Sequence, residues 1–208
     1  MIDIDDMKRR HQYRFFKDDI PDKEIIDKIV SETFELCPIK LGKWYFYIDV
    51  YGPEHYEEKR KFCLQTATNP DDTDEDPASQ YFNKDISDLK PILDGYIEDK
   101  KRSPGLPAFN TQVLAPYVFA FRYKQSTKQN FEIIGASMFS YVMAVIANKY
   151  NLDASFCQCF FKCVYNYNEL YNTESDETVF FLCIGYGDKS YHDSKEPKPE
   201  MKDVIKWM

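Results

Sequence analysis

The sequence has no long apolar segment. No stretch of its 208 residues approaches the roughly eighteen consecutive apolar residues that a membrane-spanning helix needs. The residues after Met1 also lack the apolar core of an export leader. We therefore expect a cytoplasmic protein without a membrane partner. Because no sharply biased linker divides the chain, we expect a single domain over residues 1–208.

Positive charge is also in deficit. Lys and Arg number 27 against 35 Asp and Glu, which gives a formal net charge of -8 and a pI near 5.0. A nucleic-acid surface requires a concentrated basic face, whereas most lysines here alternate with acidic residues. The composition argues against a nucleic-acid partner.

Several motifs of catalysis and nucleotide binding are missing. The sequence contains no Gly-x-Gly-x-x-Gly turn, no P-loop and no Gly-x-Ser-x-Gly elbow. Histidine occurs only at His11, His55 and His192. The chain therefore offers no catalytic triad of its own.

Two groups of candidate metal ligands are present, and neither has the spacing of a known site. Cys157, Cys159 and Cys163 lie among Phe and Val residues and lack the second cysteine pair of a closed zinc site, which favours a buried strand with reduced thiols. Residues 69–77 contain five carboxylates without the spacing of a calcium loop, which favours a solvated loop. We expect no bound metal.

Hydrophobic periodicity predicts helices alternating with about four strands, and hence a layered α/β or α+β sandwich. In the long helix we predict that Ile134, Met138, Tyr141, Val142, Val145 and Ile146 face the core. The predicted helices are Ile20 to Val30, Glu54 to Thr66 on the surface, Ile86 to Lys101 and Phe131 to Tyr150. The predicted strands are Tyr45 to Tyr51, Val113 to Tyr123, Phe156 to Val164 and Thr178 to Tyr186.

A basic and aromatic stretch precedes the first predicted helix. It reads Arg9-Arg10-His11-Gln12-Tyr13-Arg14-Phe15-Phe16. The guanidinium fork matches phosphate oxygens, so this stretch is a candidate phosphate-binding segment. An exposed basic arm is the alternative interpretation.

The order of these features resembles the nitroreductase family of FMN-dependent oxidoreductases. The stretch from Arg10 to Phe16 is similar to the family's N-terminal signature Arg-x-Ser-x-Arg/Lys-x-Phe. Pro38-Ile39-Lys40-Leu41-Gly42 resembles its Pro-Ser-x-x-Asn loop, with Ile39 and Gly42 in place of Ser and Asn. Ile134-Gly135 at the start of the long helix, and Lys198 to Trp207 after the last strand, extend the likeness to nearly the whole chain.

This resemblance implies an α+β fold, a three-layer α/β/α sandwich around a mixed, mainly antiparallel sheet. It also implies an intertwined homodimer. In such a dimer, residues 200–208 would cross to the partner subunit and add a strand to its sheet.

The resemblance further implies which residues surround FMN. The phosphate and ribityl chain would be held by Arg10, His11, Gln12, Arg14 and Lys198. The isoalloxazine edge would be lined from the other subunit by Pro38, Ile39, Lys40 and Gly42, with Ile134 and Gly135 against its opposite side.

The implied activity is ping-pong hydride transfer from NAD(P)H through FMN to a nitroaromatic, a quinone or a similar acceptor. In such enzymes the flavin carries the redox chemistry, so no catalytic side chain is required. Since Ile39 and Gly42 remove two side-chain hydrogen bonds, two alternatives stay open. One is a divergent FMN-binding protein with poor nitroreductase turnover, and the other is a flavin-free dimeric scaffold.

Overall fold

An antiparallel sheet lies at the centre of the structure. The computed structural model describes residues 12–38, 46–65, 86–100, 109–124, 131–157 and 176–189. Within them, four strands pair in the order β1-β2-β4-β3, and every neighbouring pair is antiparallel. The strands are β1 (Phe46–Tyr51), β2 (Tyr117–Lys124), β3 (Asp153–Cys157) and β4 (Asp176–Gly185).

The register of the sheet places apolar residues side by side across the strands. Val50 pairs with Phe119, Phe119 with Leu182, and Leu182 with Phe156. Aromatic and β-branched residues suit such cross-strand contacts. Because successive side chains of a strand point to opposite faces, both faces of β2 and β4 carry apolar residues and require a covering layer.

Helices cover both faces of the sheet. One buried cluster joins the sheet to α2 (Tyr56–Gln65) and α3 (Ile86–Asp99), through residues such as Phe62 and Leu93. The other joins it to α1 (Lys23–Leu36) and α4 (Phe131–Lys149), through residues such as Ile29 and Phe139. The architecture is therefore the α/β/α sandwich that the resemblance implied. None of the described helices combines the length and the apolar character that crossing a membrane requires.

Two predicted strands begin three or more residues away from the predicted start. Residues Thr111–Leu114 form a 3₁₀ helix, so β2 starts at Tyr117 and not at Val113. Pro116 lies directly before β2, at a position where the sheet needs no backbone N–H donor. The strand predicted from Phe156 to Val164 instead begins at Asp153, and residues 158–164 lie outside the described residues.

The predicted inward face of the long helix was partly wrong. Ile134, Met138 and Tyr141 are 53%, 38% and 45% exposed. The predicted residues Val145 and Ile146 are buried, and the sheet is also contacted by Phe139, Met143 and several alanines of α4. Apolar residues surround nearly the whole helix, so its periodicity could not identify the side that faces the sheet.

Helix α2 was predicted as a surface helix but buries one of its lysines. Lys59 is 1% exposed and lies in the layer that contains Phe62 and Cys63. Its Nζ donates hydrogen bonds to the carbonyl oxygens of Ala115 (2.8 Å) and Pro116 (3.0 Å). Burial lowers the pKa of Lys59 from 10.5 to about 8. This side chain fixes the start of β2 relative to α2.

The lowered pKa of Lys59 predicts a pH-dependent stability. Between pH 8 and pH 10.5 the unfolded chain binds more protons at this residue than the folded chain does. The penalty for burying the ammonium is therefore complete below pH 8 and fades as the pH rises to 10.5. From pH 7 to about pH 9.5, the wild-type protein should gain about 2 kcal/mol in free energy of unfolding relative to Lys59→Met.

Urea unfolding of both proteins at the two pH values measures this difference. Taking the difference cancels the titration of all other groups. A wild-type-minus-variant value that stays constant with pH would contradict the titration assigned to Lys59.

Candidate functional site

The segment from Gln12 to Lys17 docks against the ends of β3 and β4. Phe16 forms an antiparallel bridge with Gly187. The Lys17 N–H donates to the carbonyl of Tyr186 (2.8 Å), and the Asp188 N–H donates to the carbonyl of Phe15 (2.9 Å). These bonds place part of the predicted phosphate-binding segment on the sheet.

Gln12 is hydrogen bonded to the edge strand β3. Its side-chain NH₂ donates to the carbonyl of Phe156, and the Phe156 N–H donates to its Oε1 (3.1 Å). The amide thus pairs with β3 as a further strand's backbone would, which protects an exposed sheet edge. Both polar groups of the Gln12 side chain are occupied in this arrangement.

Tyr13 is buried under the same segment. Its carbonyl accepts a hydrogen bond from Ser155 Oγ (2.7 Å), and its ring lies against Gly187. Asp153 accepts from the Gly187 N–H (2.8 Å) and lies near the Tyr13 hydroxyl. Burial, with a smaller contribution from the charge of Asp153, raises the pKa of Tyr13. Tyr13 therefore remains neutral and anchors the segment.

Arg14 lies against the chain that leads into β2. Its Nη1 donates to Asn110 Oδ1 (3.2 Å) and, at longer range, to the carbonyl of Phe109 (3.4 Å). The Thr111 hydroxyl donates to the carbonyl of Arg14 (2.8 Å). The guanidinium is therefore held at a defined position beside the 3₁₀ helix.

The residues beside Arg14 form a buried polar cluster. Asn110, Thr111 and Gln112 are 6%, 2% and 6% exposed. The NH₂ of Gln112 lies 3.5 Å from Asn110 Oδ1. Buried polar groups of this density require internal partners or a ligand. We call Arg14, Asn110 and Gln112 the polar cluster and take it as the candidate site.

Sequence reasoning missed Asn110 and Gln112. A signal was present, because three polar residues, Asn110-Thr111-Gln112, interrupt an otherwise apolar run just before the most apolar strand. The predicted strand begins only at Val113, and the three polar residues before it received no role.

The structure places the other predicted flavin residues that it describes away from the polar cluster. Pro38 follows α1 and is exposed. Gly135 is buried in α4, where an added Cβ would lie 3.2 Å from the Phe46 ring. Phe46 and Phe109 belong to the clusters on opposite faces of the sheet. One chain alone thus has Arg14 on one side of the sheet and Ile134 and Gly135 on the other.

Several predictions fall on residues outside the described ranges. They comprise Arg10, His11, Ile39, Lys40, Gly42, Lys198, Cys159, Cys163, the acidic residues 69–77 and the C-terminal residues 200–208.

Neither a family model nor a curated protein matches the sequence. The fold, however, is similar to that of solved nitroreductases. An FMN- and NADPH-dependent nitroreductase, NfnB from Sphigopyxis sp. strain HMH, is 12% identical with a TM-score of 0.69, covering 99% of this chain and 98% of that one. The FMN-dependent nitroreductase NfnB from Mycobacterium smegmatis, solved with NADPH, is 12% identical with a TM-score of 0.67, covering 98% and 96%.

A third solved structure, a nitroreductase with bound FMN from Bacteroides fragilis, is 11% identical with a TM-score of 0.65, covering 99% of this chain and 97% of that one. The chain thus has the fold of the nitroreductase structures over nearly its full length. At this level of identity the comparison establishes the fold.

The packing of Gly187 against Tyr13 predicts that a larger residue is not tolerated there. An alanine Cβ at position 187 would lie 2.6 Å from Tyr13 Cδ1, well inside the contact distance of two carbon atoms. Gly187→Ala should lower the free energy of unfolding by about 1–3 kcal/mol, because the ring is wedged between the segment and the sheet.

Gly95→Ala is the matched control, measured in the same thermal or urea unfolding experiment. An added Cβ at this position in α3 meets nothing within 4 Å. The control should therefore be stabilising by about 0.5–1 kcal/mol, the helical advantage of Ala over Gly. Equal effects of the two substitutions would show that Gly187 does not make the described contact.

Proposed function

We propose that this protein is a nitroreductase-type oxidoreductase that binds FMN and transfers hydride from NAD(P)H to a nitroaromatic, a quinone or a similar acceptor. The observation that carries the proposal is the position of Arg14. The predicted phosphate-binding segment docks on the sheet, and its Arg14 contacts the buried Asn110, in a fold shared with FMN-dependent nitroreductases. FMN, when bound, supplies the redox chemistry.

The residues present fit such a cofactor chemically. FMN carries a phosphate dianion, ribityl hydroxyls and a ring with an imide edge. Arg14 provides a fixed cation, Asn110 an amide, and Gln112 a buried carbonyl oxygen without a hydrogen-bond partner. Arg10, His11 and Lys198 would complete the contacts with the phosphate, with Gln12 contributing through its backbone while its amide pairs with β3.

We further propose that a second copy of the chain completes the site. Ile134, Met138 and Tyr141 of α4 form an exposed apolar patch, and exposed Phe34 and Leu36 at the end of α1 lie in the same layer. A patch of this kind indicates a protein interface.

The predicted flavin-edge residues support this assembly. Ile134 and Gly135 belong to α4, which carries the patch, and Pro38 follows α1 closely. A twofold contact through the patch would carry these residues to the partner subunit. Ile39, Lys40 and Gly42 would accompany Pro38.

The proposal predicts a yellow protein. Purified protein should show flavin absorption bands, release FMN on heat denaturation, and oxidise NADPH in the presence of a quinone. The double variant Arg10→Ala/Arg14→Ala should lose bound FMN while staying folded. Each charge-assisted contact contributes about 1.5–3 kcal/mol, so at least a hundredfold loss of affinity is expected.

Arg60→Ala is the control for this experiment. Arg60 pairs with Asp94 (2.6 Å) near the Tyr56 ring and belongs to α2, so its loss should leave FMN binding unchanged. A colourless wild-type protein that does not take up added FMN would reject the proposal in favour of a flavin-free scaffold. FMN binding without NADPH oxidation would instead indicate a divergent flavin protein.

The proposed assembly predicts a dimer that depends on the α4 patch. Met138→Asp would bury an unpaired carboxylate at the interface, at a cost of several kcal/mol. Light scattering after size-exclusion chromatography should give a dimer for the wild type and a monomer for this variant. Lys61→Asp, on an exposed position of α2 in the opposite layer, should remain dimeric. A monomeric wild type that still binds FMN would contradict the shared site.

A further inference from the structure

The side-chain carbonyl of Gln112 is buried without a hydrogen-bond partner. It is the single such side-chain atom found in the part of the chain that the structure describes. An acceptor taken out of water and left unpaired destabilises a fold by about 1–3 kcal/mol. The position therefore calls for a reason other than stability.

Exchanging the oxygen and nitrogen of the Gln112 amide does not remove this problem. Arg14 is a pure donor, so the Asn110 atom that it contacts at 3.2 Å must be the oxygen. The Gln112 atom that lies 3.5 Å from the same oxygen must then be the NH₂ group. The assignment is fixed through Arg14, and the Gln112 carbonyl oxygen points elsewhere.

The backbone around Gln112 is held on both sides. The Val113 N–H donates to the carbonyl of Asn110 (3.1 Å), and the Ala115 N–H donates to the carbonyl of Gln112 (3.1 Å). Lys59 binds the carbonyls of Ala115 and Pro116 on the far side, and Arg14 binds Asn110 on the near side. The backbone of this segment therefore has little freedom to move the side-chain oxygen of Gln112 toward a partner within the chain.

We infer that Gln112 is a ligand-binding residue whose side-chain oxygen accepts a hydrogen bond from a neutral donor on the bound cofactor. This inference rests on the proposed function, since it takes the ligand to be FMN. The phosphate of FMN presents mainly hydrogen-bond acceptors at neutral pH. It therefore does not match the Gln112 oxygen, which is itself an acceptor. The matching donors are the imide N–H of the flavin ring and the hydroxyls of the ribityl chain.

The inference predicts that affinity and stability respond differently to Gln112→Met. Methionine has a similar volume and lacks the strong acceptor. The FMN dissociation constant of the variant, measured by flavin fluorescence quenching, should rise about tenfold, the value of one hydrogen bond. The melting temperature of the flavin-free variant should be equal to or above that of the wild type, because an unpaired polar atom has been removed.

Thr33→Val is the matched control. Thr33 is buried in α1, in the opposite layer, and its hydroxyl is satisfied by the carbonyl of Ile29 (2.6 Å). This substitution removes a bonded polar group, so it should leave the FMN dissociation constant unchanged and should not raise the melting temperature.

Two flavin analogues identify the donor. If the imide N–H is the donor, 3-methyl-FMN should bind the wild type about tenfold more weakly than FMN, and the variant should not distinguish the two flavins. If a ribityl hydroxyl is the donor, the variant should bind lumiflavin, which has no ribityl chain, as tightly as the wild type does.

The outcomes separate this inference from the proposed function. A wild-type protein that binds no FMN would overturn both. FMN binding by the wild type with an unchanged dissociation constant for Gln112→Met would overturn only the role of Gln112. A lower melting temperature of the flavin-free variant would assign Gln112 a structural role and would likewise overturn the inference.

Discussion

The docking of the Gln12 to Lys17 segment across the ends of β3 and β4 is the constraint on which the candidate site depends. Backbone bonds at Phe15 and Lys17 hold one end of the segment, and the Gln12 amide pairs with the exposed edge of β3 at the other end. Only in this position does Arg14 reach Asn110, some ninety-six residues away in the chain. Because the two residues are so far apart in the sequence, their contact closes a long loop and depends on the elements between them. The site is therefore a consequence of the complete fold.

The segment from Asn110 to Pro116 is held between two cations, Lys59 and Arg14. Lys59 donates to backbone carbonyls at the start of β2, although burying its ammonium disfavours the folded state at neutral pH. Arg14 donates to Asn110 and thereby also determines the orientation of the Gln112 amide. Both contacts position the segment from Asn110 to Pro116. One short segment thus contacts a buried cation and carries an unpaired acceptor, a combination typical of binding sites, where stability is sacrificed for a fixed geometry.

The sequence predicted an element correctly where its apolar residues are compatible with only one type of structure and one buried face. Helix α1 has a single apolar stripe that includes Ile26 and Ile29, and both residues are buried. The start of β2 was placed too early because Val113 and Leu114 continue its apolar pattern, although they belong to a 3₁₀ helix. Asn110 and Gln112 were missed although three polar residues interrupt the apolar sequence there, because the contact of Asn110 with Arg14 joins distant parts of the chain. In contrast, the guanidinium of Arg14 lies among aromatic residues in the sequence, and this local pattern alone led to the prediction of a phosphate-binding residue.

The error in the predicted face of α4 has a physical cause that also bears on assembly. A helix with apolar residues on nearly every side has more apolar surface than one sheet can cover. One side of α4 packs against the sheet through Phe139, Met143 and Ile146. The other side leaves Ile134, Met138 and Tyr141 exposed. Such a sequence is expected where a helix packs against two partners, its own sheet and a second protein surface. Because Ile134 belongs to the exposed patch and Pro38 follows the neighbouring helix, a second subunit on the patch would meet the chain where its flavin-edge residues were predicted. The apolar residues on nearly every side of α4 led to the wrong prediction of its core-facing side. The same distribution is expected of a helix that contributes to a site shared by two subunits.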